Sequence, residues 1–396
     1  MKRLSILFAA TLLCAVAFWA VRARAQDTAG VSELRVVAPA DNPSTPAKLA
    51  LGRLLFWDPI LSGGKDVACA TCHHPAFGYS DGLPLSVGVN GTGVGARRTF
   101  ISGAPALFAK RNSQTILNTA FNGVLAPGTY APAMAPMFWD TRASGLEEQA
   151  LGPIKSAEEM RGNAYSEERA VDAVVARLRA VPEYVALFKT AFPADSGAVT
   201  AANLARAIST FERSLVAINA PYDRYRRGDT SAMTAIQIEG MQEFERVGCA
   251  RCHSGPLFSD FKPHVLGVAD NTSAPAVDLG AGGTRAFRTP SLRNLAHTGP
   301  YMHSGVLTSV NDVLRFYNRV GRGGGGGGRG GGGRRGDGTL AGIPRPQLDP
   351  LLRQLRGVGR SRGEIVAFLS ALNDDSFDRT IPTRVPSGLH PGGGLE

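Results

Sequence analysis

Apolar residues recur three and four positions apart over several long stretches of the chain, while strand-like alternation is scarce. Glu167 to Val181 and Ala202 to Ile218 carry this helical spacing, and Met233 to Val247 is a third amphipathic segment. Ser309 with Asp312 three residues on is close to a helix-capping pair. Val310, Val313, Leu314 and Tyr317 then fall on one buried face. Leu348 to Leu372 predicts one or two further helices, divided near Gly357 to Gly363. The fold class is therefore mainly α.

Long loops separate these helices. Ser62 to Gly95 is rich in Gly, and Val124 to Pro136 in Ala and Pro. Gly321 to Gly338 is glycine except for four arginines and one aspartate, a composition that cannot bury a core and predicts a flexible loop. It is either a neutral insertion or a cationic surface beside whatever the second half of the chain binds. The tail after Ser376 carries Pro and Gly and is expected to be extended.

The N-terminus follows another pattern. Lys2 and Arg3 precede an apolar run from Leu4 to Val21, and Ala23-Arg24-Ala25 fits a small-x-small cleavage site. Residues 1–25 read as a signal peptide cut before Gln26. An uncleaved anchor is the alternative, because this almost wholly apolar run of 18 residues reaches the lower limit for a span. Arg22 and Arg24 on the far side oppose it. The formal charge of +10 comes from 43 bases and 33 acids; without the four bases of the leader it is 39 against 33, or +6. No aromatic residues interleave with the arginines, so nothing reads as a nucleic-acid module.

Cysteine use changes the picture most. Of five cysteines, Cys14 lies in the leader, and the other four form Cys69-Ala70-Thr71-Cys72-His73 and Cys249-Ala250-Arg251-Cys252-His253. Each pentad is the attachment signature of a c-type haem. The thiols add across the haem vinyl groups, and the histidine ligates iron from the proximal side. A shared zinc knuckle would leave both adjacent histidines as coincidence. The pentads stand 180 residues apart, which suits two cytochrome c-like helical haem domains, 26–218 and 219–375, followed by the tail 376–396. In bacteria covalent haem is attached outside the cytoplasmic membrane, so the leader and the pentads both point to the periplasm. A histidine-ligated iron has one further axial position: two strong ligands make a carrier, an open site with polar groups can bind peroxide.

Beyond the pentads the chain resembles the bacterial di-haem cytochrome c peroxidase and MauG family from about Leu51 to Leu372. The likeness rests on Met137-Phe138-Trp139-Asp140 with Arg142, Leu146-Glu147-Glu148-Gln149-Ala150 with Gly152-Pro153, and Phe211-Glu212-Arg213. It continues in Phe287-Arg288-Thr289-Pro290-Ser291-Leu292-Arg293-Asn294, Pro300-Tyr301-Met302-His303 and Phe316-Tyr317-Asn318. The resemblance implies two covalent haem c groups, with His73 the proximal ligand of the catalytic haem and His253 that of the second. Gln149 and Glu159 match the family's distal amide and carboxylate. A positioned carboxylate suits heterolysis of a peroxide, which needs one proton moved from the near oxygen to the leaving one. On composition alone Glu158 is an equal candidate, and either could be a surface acid.

The family's better-known peroxidases also carry a histidine that blocks the catalytic iron. After His74, which is a surface or propionate-contact residue, the next histidine here is His264. The resemblance therefore implies an open first iron that needs no reductive activation. For the second haem it points to Tyr317, with Met302 as competitor; a core aromatic is the other reading of Tyr317. Trp139 would relay charge between haems, or be a buried aromatic, or both. Asn112 with the carbonyls of Thr298 and Pro300 would hold one Ca2+. Arg288 and Arg293 could pair with haem propionates, or be solvated.

The first reading is thus a periplasmic enzyme reducing hydrogen peroxide with electrons from a small cytochrome c or cupredoxin. A MauG-like oxidase acting on a partner protein is the second, and a non-enzymatic di-haem electron carrier the third.

Overall fold

The computed structural model describes residues 34–125, 130–322 and 340–395. The leader with Cys14, and the Gly/Arg-rich segment from 323 onward, lie outside the described residues. About 39% of the structure is helix and 7% strand. The helices are α1 Pro46–Trp57, α2 Cys69–Cys72, α3 Gly145–Gln149, α4 Gly152–Lys155, α5 Glu167–Arg179, α6 Pro182–Ala191, α7 Ala201–Ser214, α8 Pro221–Arg226, α9 Ala235–Arg246, α10 Val310–Gly321 and α11 Arg362–Ser370. Three antiparallel pairs of two-residue strands pin loops together: Gly91–Thr92 with Thr99–Phe100, Pro136–Met137 with Ala143–Ser144, and Pro263–His264 with Phe287–Arg288. Among the described residues no helix is long and apolar enough to cross a membrane.

Local chemistry starts these helices where the sequence suggests. Thr45 and Thr200 hydroxyls accept from the backbone amides three residues on, at 3.2 Å each, at the heads of α1 and α7. Thr234 and Gln237 form a reciprocal capping box on α9. The Ser309 hydroxyl accepts from the Asp312 amide at 3.1 Å and opens α10.

Two helical cores result. In the first, α1, α5, α6 and α7 enclose Leu51, Leu55, Leu178, Phe188, Leu204 and Ile208. In the second, α8, α9 and α11 surround Tyr222, Phe244, Phe258 and Phe368, whose rings meet edge-on at 5.1–6.3 Å. Each such pair adds about 0.5–1.5 kcal/mol beyond its buried area. The same device closes both cores. A Cβ at Gly52 of α1 would stand 2.0 Å from the Ala207 carbonyl of α7, and one at Gly240 of α9 would stand 1.9 Å from the Glu364 carbonyl of α11. Only glycine lets these helix pairs approach so closely.

Two elements differ from the sequence reading. Helix α7 stops at Ser214, not Ile218, because Asn118 draws the next residues into an extended pairing: its amide donates to Leu215 and its side chain bonds Ala217 N and O. Leu348–Leu372 holds the 3-10 turn Pro350–Gln354, capped by Asp349, and then α11, divided across Gly357 as its sequence suggests. Helix α10 buries Phe316 and Val320 on one side and Leu314 on another, so it is wedged between two apolar clusters rather than lying on one.

The tail is extended, as its composition suggests, but it is fastened. From Phe377 it runs back over the first core, where Phe377 and Val385 are buried against Trp57 and Tyr79. Arg384 forks onto Glu183 at 2.8 and 2.9 Å, and the Ser387 hydroxyl donates to Asp58 at 2.7 Å.

Candidate functional site

Each pentad opens onto its own cavity. Helix α2 is a single turn that places Cys69 and Cys72 on one side, and His73 caps it. His73 Nδ1 lies 3.1 Å from the Tyr79 carbonyl, and His253 Nδ1 lies 2.9 Å from the Phe258 carbonyl. Both carbonyls belong to residues with left-handed backbone, φ 58° at Tyr79 and 53° at Phe258. A turn that strains a bulky residue in each half thus orients the ring and frees Nε2. Burial lowers the pKa of both imidazoles, that of His253 to about 4, which keeps the rings neutral for ligation. Burial also pushes the Cys72 and Cys249 thiols up to about 12. Cys72 and His73 line the first cavity with Cys69 one helical turn before Cys72, and Cys249, Cys252 and His253 line the second; these thiols and neutral, oriented histidines are the donor set a covalent haem requires, and the residues present fit it.

The first cavity contains every group the sequence reading assigned to the first haem's distal side. Cys72, His73, Gln149 and Glu159 line it together with Glu158, Arg111 and Arg142. Gln149 closes α3, and its Oε1 is buried without a hydrogen-bond partner. Glu159 sits on a single π turn, Ala157–Arg161. Burial, and next the neighbouring Glu158, raise its carboxyl to about 7, against the pull of Arg142. Arg111 is clamped by Asp278 at 2.5 and 2.9 Å and by Asp140 at 2.7 Å. Among the described residues, His73 is the only histidine lining this cavity.

The second cavity is lined mostly by apolar side chains around Cys249, Cys252 and His253. Tyr317 and Met302 both reach it. Burial raises the Tyr317 phenol, and no described group hydrogen-bonds its hydroxyl. Met302 has a left-handed backbone, φ 72°. Geometry therefore leaves both candidates at the cavity. Asn112, Thr298 and Pro300 line it too. The Asn112 amide donates to the Leu83 carbonyl at 2.7 Å, which turns its Oδ1 the other way. No described donor occupies that Oδ1 or the carbonyls of Thr298 and Pro300, so three hard oxygens remain for a cation.

The two cavities share a wall made of Asn112 to Thr115, Thr119, Asn122, Trp139 and Arg288. Trp139 Nε1 donates to the Asn112 carbonyl at 3.0 Å, and its ring meets His303 edge-on at 6.5 Å. Arg288 donates to the Phe138 carbonyl and to Gln114 Oε1, faces no described carboxylate, and burial lowers it to about 10. A cation so placed is poised for a propionate. Arg293 is not: its guanidinium is buried and bidentate to Asp223 at 2.8 and 2.9 Å, which rules out the propionate role. His74 likewise accepts from the Ala76 amide and packs edge-on against Trp57, so it is a local cap rather than an open surface group.

Two features escaped the sequence reading. Segment 113–115 carries no motif, yet the Ser113 hydroxyl donates to the Cys72 carbonyl at 2.7 Å, and Gln114 receives Arg288. His264 is held between Asp260 at 3.0 Å and Asp349 at 2.6 Å, and its bonds to Asp260 first, then Cys252 and Asp349, push it up to about 11. Its side chain converges with Cys252, a cysteine of the second pentad, and Asp260.

Comparison with known proteins bears on this arrangement. Residues 46–231 match the di-haem cytochrome c peroxidase family. The methylamine utilization protein MauG of Methylorubrum extorquens is 34% identical over 87% of this chain and 83% of its own. Cytochrome c551 peroxidase of Pseudomonas aeruginosa is 33% identical over 72% of this chain and 74% of its own. A crystal structure of a MauG-like protein associated with microbial copper homeostasis superimposes with a TM-score of 0.67 at 25% identity, over 87% and 95% of the two chains. The diheme peroxidase BthA from Burkholderia thailandensis shares the fold, with a TM-score of 0.63 at 23% identity over 90% and 93%. With two pentads on two cavities and relatives of this similarity along most of its length, the chain belongs to the di-haem cytochrome c peroxidase family.

Proposed function

We propose that the protein is an exported di-haem c-type peroxidase that reduces hydrogen peroxide to water in the periplasm, with electrons from a small cytochrome or cupredoxin. The observation that carries this reading is the asymmetry of the cavities: one polar and open, the other apolar with ligand candidates at hand. Haem, when bound, supplies the iron at which peroxide binds and the redox equivalents for its reduction. The protein's residues do the rest. Glu159 takes a proton from the near peroxide oxygen and returns it to the leaving one, so that water departs. A carboxyl raised to about 7 is matched to that exchange near neutral pH. Gln149 would offer its amide N–H to the peroxide, while Arg111 and Arg142 keep the cavity favourable for the carboxylate. Trp139 passes electrons across the shared wall. Two electrons and two further protons complete the conversion of one peroxide to two waters. Residues 26–218 serve the first haem and 219–375 the second. Asn112, Thr298 and Pro300 hold one calcium ion at the second haem's cavity.

A second reading has its own support. The first cavity offers no second histidine among the described residues, Tyr317 reaches the second, and MauG is among the relatives. These features favour an oxidase that draws electrons from residues of a partner protein. Optical and EPR spectra of the diferric protein, before and after one equivalent of peroxide, test both. A high-spin signal that peroxide converts is expected. Two low-spin haems that ignore peroxide would leave only an electron carrier.

A further inference from the structure

We propose that Arg98 is a positioning residue for Glu159, and that Gly392–Gly394 at the end of the chain complete the seat that holds its guanidinium. This rests on the reading of Glu159 as the acid–base group.

Arg98 is 3% exposed, and its guanidinium spends its donors on four backbone carbonyls. Nε donates to Val87 at 2.5 Å, Nη1 to Gly93 and Gly394 at 3.0 Å each, and Nη2 to Gly88 at 2.8 Å. A buried cation hydrogen-bonded to neutral carbonyls adds little net stability after its desolvation, so its placement asks for another reason. Gly88 supplies one. A Cβ there would stand 2.3 Å from the Glu158 carbonyl oxygen, 2.5 Å from that of Glu159 and 2.9 Å from Glu159 Cα. The backbone bearing the acid therefore rests directly on Gly88, whose own carbonyl Arg98 holds. The Gly63 amide donates to the Met160 carbonyl at 2.7 Å, and a Cβ at Gly63 would stand 2.0 Å from the Arg161 carbonyl oxygen. The π turn is thus gripped between two backbone segments.

The tail ties this seat to the pentad. Gly394 O accepts from both Gly93 N and Arg98, and Gly394 N donates to Asp66 O at 3.0 Å. Gly392 O accepts from the Thr71 hydroxyl at 2.8 Å, and Thr71 lies inside the first pentad. A Cβ at Gly393 would stand 2.1 Å from Asp66 O, so the chain threads this gap only as glycine. The distance between the turn of Glu159 and the helix of His73 is consequently set by backbone contacts that converge on Arg98 and the last glycines. Displacing a proton-transfer group by about 1 Å costs on the order of 10²-fold in rate. Lysine, a point donor, cannot reproduce the four-carbonyl grip.

The test is a double-mutant cycle on the holoprotein. Peroxide reactivity is followed by stopped flow against pH, beside haem content, in wild type, Arg98→Lys, Glu159→Gln and the double variant. Arg98→Lys is expected to slow the reaction roughly ten- to a hundredfold. It should also move the pH midpoint downward, because a loosened turn admits water to the carboxyl. In the Glu159→Gln background it should add no further loss. If Glu159→Gln itself leaves the rate unchanged, the acid–base reading fails and the proposal with it. If Glu159→Gln is slow while Arg98→Lys is silent, or slows both backgrounds by the same factor, the acid–base reading stands and the positioning role is overturned. Should Arg98→Lys yield no holoprotein, a chain ending at Pro391 runs the same cycle and is judged by the same criteria.

Discussion

The two haem cavities begin from the same five-residue pattern and the same histidine-to-carbonyl bond, yet they are lined by different chemistry. Around His73 stand Gln149, Glu158, Glu159, Arg111 and Arg142; around His253 stand chiefly leucines, valines and the pair Tyr317 and Met302. The pentad secures a cofactor, and what the chain later brings over each iron decides whether that iron reacts or stores charge. The difference is one of desolvated polar groups. The first cavity keeps an orphaned amide oxygen and a carboxyl raised to about 7; the second, lined also by His264, Asp349 and His303, has a phenol raised by burial to which no described group hydrogen-bonds.

The most direct way to break the comparison is to remove the acid. Glu159→Gln is expected to slow the peroxide reaction about 10²–10⁴-fold with haem content intact, as stopped-flow and pyridine haemochrome measurements will show. Its pH dependence sharpens the point. As a base Glu159 must begin ionised, and its carboxyl is raised to about 7. Wild-type reactivity should therefore rise with pH up to about 7, falling about tenfold per unit below it. The variant should lack that limb; an unchanged profile would remove Glu159 from the role.

On the second side, Arg293→Ala leaves the buried Asp223 carboxylate without its cation and removes the guanidinium that lies over the ring of Phe258, whose carbonyl orients His253. A loss of about 3–5 kcal/mol is expected in denaturant unfolding. Arg288→Ala, which breaks no carboxylate pair, should cost less stability and instead shift the haem potentials in a redox titration. The smallest effects concern the sixth ligand. Tyr317→Phe should change the low-spin EPR signature of the second haem and leave the high-spin signal of the first. Met302→Leu should leave both; the reverse pattern would give the position to Met302.

Much of the fold was legible locally. The helical spacing in Glu167–Arg179 and Ala235–Arg246 and the cap at Ser309 are written within a few residues of each other. Helix ends were less so: α7 stops early because Asn118, almost a hundred residues away, claims its last residues. Arg293 looked like a propionate partner only while Asp223 was out of view. Gln149 and Glu159 could be named from a family likeness, but nothing local distinguished Glu159 from Glu158. Its carboxyl is raised by burial, a property of the assembled cavity and not of its neighbours in sequence.

By itself the sequence identified two haem-attachment signatures, because covalent attachment needs only two thiols and a histidine at fixed spacing, and a helical chain, because periodicity is a property of neighbours. Tertiary structure alone decided which cavity is polar, that Asn112 to Thr115 and Trp139 form one wall for both, and that the last glycines return to the first haem's site. Those outcomes depend on where distant backbone segments meet, and the close approaches that set them involve carbonyls and amides that every residue carries and no motif records.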